Sequence, residues 1–104
     1  MGTKQELENR IFDVLYTIYD PEIPVNIYEL GLIYEVNIDD GHHVHIKMTL
    51  TSPNCPAVEL LPAEIEEKIK HIAGVQSVRI DVVWDPVWTP DRMSEAARLE
   101  LGLG

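Results

Sequence analysis

The sequence predicts an α+β domain: two layers in the order α-β-β-α-β-α, with a small three-stranded mixed sheet that carries the helices on one face. Apolar residues recur at helical spacing in two long segments and alternate with polar residues in three short ones. A helical crossover before the third strand is expected to be right-handed and to set that strand parallel to the second. The 104 residues are predicted to form one domain over 1–104.

The first helix is predicted from about Lys4 to Tyr19. Thr3 and Glu6 have the spacing of a capping box, in which each side chain accepts a hydrogen bond from a free amide at the helix start. An apolar stripe follows at helical spacing: Leu7, Ile11, Val14, Leu15 and Ile18. Asp20 precedes Pro21, which disfavours helical geometry at Asp20 and ends the helix.

A β-hairpin is predicted over residues 32–51. Its first strand, 32–38, turns one apolar face to the core: Leu32, Tyr34, Val36 and Ile38. Asp39-Asp40-Gly41 supplies the turn. The second strand, 44–51, places Val44, Ile46, Met48 and Leu50 on the same side, with His45, Lys47, Thr49 and Thr51 facing outward.

The second helix is predicted to begin at Pro56 and to end at Gly74, because its apolar residues lie on one helical stripe. Pro62 falls inside this helix and is expected to kink it or to divide off its first turn. Residues 78–84 then alternate as the third strand, and Thr89-Pro90 or Ser94 opens a short terminal helix.

Composition narrows the class of protein. The net charge of −10 and the scattered Lys and Arg residues argue against nucleic-acid binding, which needs a basic surface. No apolar run approaches the ~20 residues of a membrane span, and the N-terminus lacks the apolar core of a signal peptide. One cysteine excludes an internal disulfide and is typical of a reducing compartment. We therefore expect a cytoplasmic protein without a membrane or nucleic-acid partner.

Cys55 is the most informative residue. It stands between the second strand and the second helix, directly before Pro56, so it is predicted to be the N-cap of that helix. Free amides and the positive end of the helix dipole favour the thiolate, which binds metals or attacks electrophiles, and an N-cap is usually partly exposed. The alternative is a small buried apolar side chain, and the residues alone leave both open.

Further polar side chains surround these loops. Asp20, Glu22 and Glu29 are candidate carboxylates for a metal or for orienting the thiol, although turn formation explains acids next to prolines equally well. The hydroxyl groups that approach Cys55 along the second strand, those of Thr49 and Thr51, are candidates for hydrogen bonds to a thiolate, against a simple preference for strand geometry.

Two other clusters invite a functional interpretation. His42, His43 and His45 resemble a metal-binding pattern, but a solvated strand face is favoured because the cluster lacks a neighbouring cysteine. Trp84 is interpreted as a structural lid over the core, and Trp88 either as a lid or as an aromatic anchor for a partner.

Taken together, five segments resemble the SufT-like family of iron–sulfur cluster assembly factors: Asp20-Pro21-Glu22, Val25-Asn26-Ile27, Leu30-Gly31-Leu32-Ile33-Tyr34, Thr49-Leu50-Thr51 with Pro53 and Cys55-Pro56, and Asp85-Pro86 with the run from Trp88 to Ser94. The resemblance implies a small α/β domain that matures iron–sulfur proteins. It implies cofactor-binding roles for Cys55, Asp20 and Glu22, with Cys55 as the metal ligand. Thr51 is added to this cofactor-binding set because its hydroxyl approaches the cysteine along the second strand.

The resemblance also implies partners and cargo. We expect the iron–sulfur assembly machinery and client apoproteins as partners, and a transient iron–sulfur cluster or iron as cargo. One cysteine per chain cannot supply the four thiolates of a typical cluster, so a homodimer or a client must add ligands. A related branch serves phenylacetate ring oxidation and carries a cysteine-rich zinc-binding tail. This chain stops at Gly104 without one, which argues against that branch.

Two alternatives belong to other classes: a thiol enzyme with Cys55 as nucleophile, and a cysteine-dependent interaction module. We do not expect an enzyme, because the histidines that would serve as a base are predicted on other elements. A shared site has a geometric requirement. The loops that carry Asp20 and Cys55 should meet at one end of the sheet, with these side chains within roughly 10 Å of each other.

Overall fold

The structure is a computed structural model that describes residues 3–21, 23–51 and 57–102. Its elements are α1 (Lys4–Leu15), β1 (Ile33–Ile38), β2 (His43–Met48), α2 (Ala57–Lys70), β3 (Ser77–Val82), a 3₁₀ turn (Pro90–Arg92) and α3 (Glu95–Glu100). The predicted α+β class and the predicted element order are confirmed. No helix in this described part of the chain is long and apolar enough to cross a membrane.

The sheet has the strand order β1-β2-β3. β2 pairs antiparallel with β1 and parallel with β3, as the hairpin and the helical crossover predict. The sequence predicts Tyr34 on the inner face of β1, and this is wrong because the register shifts between Ile33 and Glu35. A bulge here adds one residue to β1, so Ile33 rather than Tyr34 lies opposite Met48.

The two faces of the sheet differ in chemistry. The inner face carries Val44, Ile46 and Met48, all at most 1% exposed. The helices cover it: α2 packs on β3, and α1 packs on α2. Together they enclose one core of buried apolar side chains: Leu7, Ile11, Leu15, Ile18, Val25, Ile27, Leu30, Leu32, Val44, Ile46, Met48, Leu50, Leu61, Ile65, Ile69, Met93 and Ala97.

Helix α1 begins as predicted but ends earlier. The Thr3 hydroxyl accepts a hydrogen bond from the Glu6 amide at 3.1 Å, as a capping residue does. The last helical residue is Leu15 rather than Tyr19, because the amide of Thr17 bonds to the Val14 carbonyl in a tighter turn. Tyr19 instead forms a β-bridge with Asn26, which folds the following loop back on itself.

Helix α2 continues through Pro62, so the predicted division of its first turn is wrong, whereas the alternative, a kink at Pro62, stays a prediction. Proline removes one backbone hydrogen bond, but Leu61, Ile65 and Ile69 are buried in the core and hold the helix in place. The predicted start at Pro56 lies outside the described residues, and Ala57 is the first residue of the helix that the structure assigns.

The interpretation of Trp84 as a lid is wrong, since its side chain is 41% exposed. Trp88 has the structural role instead, because its indole N–H donates a hydrogen bond of 2.7 Å to the Leu30 carbonyl. Both predicted starts of the terminal helix are in use. Thr89 precedes the 3₁₀ turn, and the Ser94 hydroxyl caps α3 by accepting from the Ala97 amide.

Candidate functional site

The structure describes some of the site residues that the sequence predicts, but not all of them. Asp20 and Thr51 belong to the described part of the chain. Cys55 and Glu22 lie outside the described residues, so their predicted roles, and the predicted N-cap at Cys55, stay predictions. In the sequence, Cys55 follows Thr51 by four positions and precedes Ala57, the start of α2, by two.

Asp20 is a buried carboxylate, only 4% exposed. Its Oδ1 accepts a hydrogen bond of 3.0 Å from the amide of Ile23. This is the turn chemistry that a short acidic side chain before a proline supplies. A carboxylate that is both hydrogen-bonded and buried is held in one orientation, which a ligand or a positioning group also requires.

A chain of backbone hydrogen bonds connects the Asp20 loop to the end of β2. The Ile27 amide donates to the Ile18 carbonyl at 2.8 Å, and the Leu32 amide donates to the Ile27 carbonyl at 3.1 Å. The Thr49 amide then donates to the Leu32 carbonyl at 2.8 Å. The loop therefore lies at the end of the sheet from which the chain runs on to Cys55. The distance from Asp20 to Cys55 itself falls outside the described residues.

Thr49 is fully buried, so its predicted position on an outward strand face is wrong. Strand β2 ends at Met48, and beyond it the alternation of faces stops: Thr49 and Leu50 are both buried, whereas Thr51 is half-buried. The Thr49 hydroxyl has no hydrogen-bond partner in the described structure. Sequence reasoning named Thr49 as a candidate but not its burial, since a threonine between two apolar residues resembles an ordinary outward strand position.

Glu29 stabilises the local fold. Its amide donates to the Asn26 side-chain oxygen at 2.9 Å, and the Asn26 side-chain amide donates to its carboxylate at 3.0 Å. The Ser94 amide donates to the Glu29 carbonyl at 2.7 Å, which attaches the C-terminal segment to this loop. These contacts give Glu29 a structural role in the loop, which explains its presence without a role in binding metal or orienting the thiol.

Gly31 allows the same segment to approach closely. Its φ of +86° is rarely adopted by residues with a side chain. A Cβ at this position would also lie 2.3 Å from the carbonyl oxygen of Arg92. A residue without a side chain is therefore required where the loop meets the 3₁₀ turn.

The histidines lie away from this end of the sheet. His43 and His45 are on the outer face, where the His43 imidazole is hydrogen-bonded to Ser77 at 2.7 Å and the His45 imidazole to Asp81 at 2.6 Å. Within the described ranges, no three His, Cys, Asp or Glu side chains are grouped to hold a metal ion. The rings of His43 and His45 are thus engaged with side chains of β3 on the outer face.

The hydrogen bond from His45 also sets the electrostatics of the outer face. It holds the pKa of Asp81 below its ordinary value, and the charge of nearby Arg79 lowers it further. Lys47 and Glu35 form a looser pair on the same face, with 3.7 Å between nitrogen and oxygen. These paired charges keep the uncovered face polar.

Comparison with known proteins identifies related chains along nearly the full length. A family model described as iron–sulfur cluster assembly protein matches residues 8–82. An Fe-S protein maturation auxiliary factor of Porphyromonas gingivalis is 47% identical over 97 residues, which cover 93% of this chain and 92% of that protein. The Fe-S protein maturation auxiliary factor SufT of Staphylococcus aureus is 37% identical over 86 residues, covering 83% and 98% respectively.

The backbone agrees with these sequence matches. The crystal structure of a domain of unknown function from Bacillus anthracis superposes with a TM-score of 0.86 at 33% identity, covering 96% of this chain and 95% of that one. The similarity therefore extends over nearly the full length of both chains.

Proposed function

This chain belongs to the SufT-like family of iron–sulfur cluster assembly proteins, and on that premise we propose that it matures iron–sulfur proteins through Cys55. In this proposal the thiolate of Cys55 binds a cluster, or iron destined for one, and passes it to a client apoprotein. The observation that carries it is the convergence of the buried Asp20 loop with the end of β2, directly before the segment that contains the cysteine.

The chemistry of the segment supports a ligand role for the thiol. A cysteine at the start of a helix meets free amides and the positive end of the helix dipole, and both favour the thiolate that iron binds. Asp20 supplies a carboxylate with a fixed orientation. Thr51 and Glu22 are the remaining side chains that we assign to the site.

The number of ligands limits what one chain does. A cluster typically takes four thiolates, and this sequence contains one cysteine. We propose that a second copy of the chain adds one further thiolate, and that carboxylates, a small thiol or the client supply the rest. Handover is then an exchange of ligands, in which each iron–thiolate bond that breaks at Cys55 is replaced by a bond to a deprotonated client cysteine, without net oxidation or reduction.

A ligand role also agrees better with the surroundings than an enzymatic one. A thiol nucleophile needs a base within hydrogen-bond reach. The described histidines occupy other places: His45 is engaged with Asp81 on the outer face, and the ring of His71 bonds to the Glu67 carbonyl at the end of α2. We therefore propose a non-enzymatic factor that works in the reducing cytoplasm with the assembly machinery and client apoproteins.

The proposal is tested by cluster transfer. The protein is incubated anaerobically with iron and sulfide, freed of unbound iron, and mixed with a [4Fe–4S] apoprotein whose recovery of cluster absorbance is followed. We expect transfer above the rate seen with iron and sulfide alone, and loss of that gain with Cys55→Ser.

Thr17→Ser is a suitable control, because it keeps the hydroxyl that donates to the Val14 carbonyl at the end of α1. Equal transfer by Cys55→Ser and the unmodified chain would refute the role of the thiol. Loss of transfer with Thr17→Ser would show that the assay reports on folding instead.

A further inference from the structure

An open cleft of about 790 Å³ lies next to the C-terminal segment. We call it the tyrosine cleft, after the side chains that line it: Tyr16, Tyr28 and Tyr34, with Glu29, Asp91 and Arg92. A neighbouring depression shares Tyr28, Ile33 and Tyr34 and adds two further acids, Glu8 and Glu35. The two hollows form one continuous surface.

The aromatic side chains of this surface are held in place by one another. The ring of Tyr28 packs edge-on against Phe12, with centroids 5.3 Å apart, and lies 4.9 Å from the ring of Tyr16. Tyr16 and Tyr28 are nevertheless 43% and 37% exposed. Tyrosines fixed in this way offer large contact area with little loss of side-chain freedom on binding, and such residues dominate the energy of protein interfaces.

The charges on this surface are mostly negative. Four carboxylates line it, and Arg92 is the one cationic side chain among the described lining residues. Two of these acids also have loose cationic neighbours outside the lining: Lys47 lies 3.7 Å from Glu35, and Arg98 lies 4.0 Å from Asp91. The Arg92 guanidinium is already engaged, since its central carbon lies 4.7 Å from the centroid of the Tyr34 ring. The pKa of the Tyr16 hydroxyl is raised, first because part of its hydration is lost and then, to a smaller extent, because Tyr28 and the Glu29 carboxylate are near.

We propose that the tyrosine cleft docks a lysine- and arginine-bearing segment of a partner protein. Exposed tyrosine faces bind cationic groups, and the neighbouring acids attract them while disfavouring an anionic ligand. The contact between Arg92 and Tyr34 is an example of this interaction within the chain itself. The docking surface needs no thiol, so it goes beyond the proposed cluster transfer and is tested separately from it.

The test is a titration of the full chain with a tetra-arginine peptide amide at low ionic strength, followed by NMR of backbone amides. We expect the shifts to cluster at residues of the tyrosine cleft, and a tetra-glutamate peptide to cause none. Tyr28→Ala should weaken binding by about twofold to fivefold, the usual size of an exposed cation–π contact. Cys55→Ser should bind like the unmodified chain.

A pair of charge variants separates docking from general attraction to an acidic protein. Asp91→Asn removes a cleft carboxylate that is 91% exposed, so the fold does not depend on it, and should weaken binding by about twofold. Glu66→Gln removes the same charge from the exposed surface of α2 and should leave affinity unchanged. Equal weakening by both variants, or no weakening by Asp91→Asn and Tyr28→Ala, would overturn the proposal.

Discussion

Two buried polar residues mark the end of the sheet that leads to Cys55. Asp20 accepts a hydrogen bond from the Ile23 amide, and this bond shapes its own loop. The Thr49 hydroxyl is buried without a partner in the described structure, a situation that costs stability. An apolar side chain of the same shape at Thr49 would make the folded state more stable. The Thr49 hydroxyl is therefore a polar group that folding itself does not require.

Replacement of Thr49 tests that energetic argument. Thr49→Val keeps the shape and removes the unpartnered hydroxyl, so we expect the free energy of unfolding to rise by roughly 1 kcal/mol. Urea denaturation measures the change. Thr17→Val is the matched control, since the Thr17 hydroxyl donates to the Val14 carbonyl at 2.6 Å and its removal should not stabilise the protein. A Thr49→Val protein less stable than the Thr17→Val protein would show that the hydroxyl is satisfied.

Among the elements, the C-terminal segment is attached to the loop before β1 by several specific contacts. Trp88 donates to the Leu30 carbonyl, the Ser94 amide donates to the Glu29 carbonyl, and Gly31 lets the Arg92 backbone approach. These contacts build one wall of the tyrosine cleft. The position of that wall therefore depends on a glycine.

Gly31→Ala should be clearly more destabilising than Gly74→Ala. Both glycines have positive φ, so both variants incur the backbone strain of about 1–2 kcal/mol. Only at Gly31 would the new Cβ meet backbone atoms, whereas nothing lies within 4 Å of a Cβ at Gly74. We expect a further loss of about 1–3 kcal/mol for Gly31→Ala, measured by thermal or urea unfolding. Equal losses would indicate that the C-terminal segment shifts freely.

The uncovered face of the sheet predicts a pH dependence. The hydrogen bond from His45 lowers the pKa of Asp81 in the folded protein, so its contribution is present above the unfolded-state pKa and is lost as pH falls through the lower folded value. We expect Asp81→Asn to reduce the acid-dependent loss of stability between neutral pH and about pH 3.

His45→Phe serves as the companion variant, because phenylalanine has no N–H donor and so removes the first cause of the shift while leaving the carboxylate. The stability that this variant loses on acidification should also be smaller than the loss in the unmodified protein. Urea midpoints at several pH values give the comparison. If both variants lose as much stability at acid pH as the unmodified protein, the interaction between His45 and Asp81 is contradicted.

At the scale of the whole molecule, each chain has only one thiol, so cluster binding requires ligands from more than one chain. If a reconstituted sample holds a cluster without a client, we expect its native mass to correspond to two chains and one cluster, with Cys55 required in both. Native mass spectrometry of the anaerobic sample measures this directly. A single chain that carries its own cluster would contradict the ligand count and would point to the carboxylates of the Asp20 loop as additional ligands.

Much of the architecture could be predicted from local patterns. The helical stripe of α1, the alternation in β2 and the crossover through α2 depend on residues close in sequence, and each predicted element exists in the predicted order. The candidate site is predicted on the same basis, because unusual residues such as Cys55 and Asp20 stand between those elements. The prediction of one domain over 1–104, and of the contact between these two residues, stays a prediction.

Tertiary contacts decided the rest. Periodicity identifies which face of an element is apolar, but not where distant segments meet. Tyr34 leaves the inner face because β1 has a bulge beside Met48, and its ring then receives Arg92 from the C-terminal segment. Trp88, not Trp84, is fixed because its indole N–H reaches the Leu30 carbonyl. These outcomes depend on hydrogen bonds and packing between residues far apart in the chain, which only the assembled fold brings into contact.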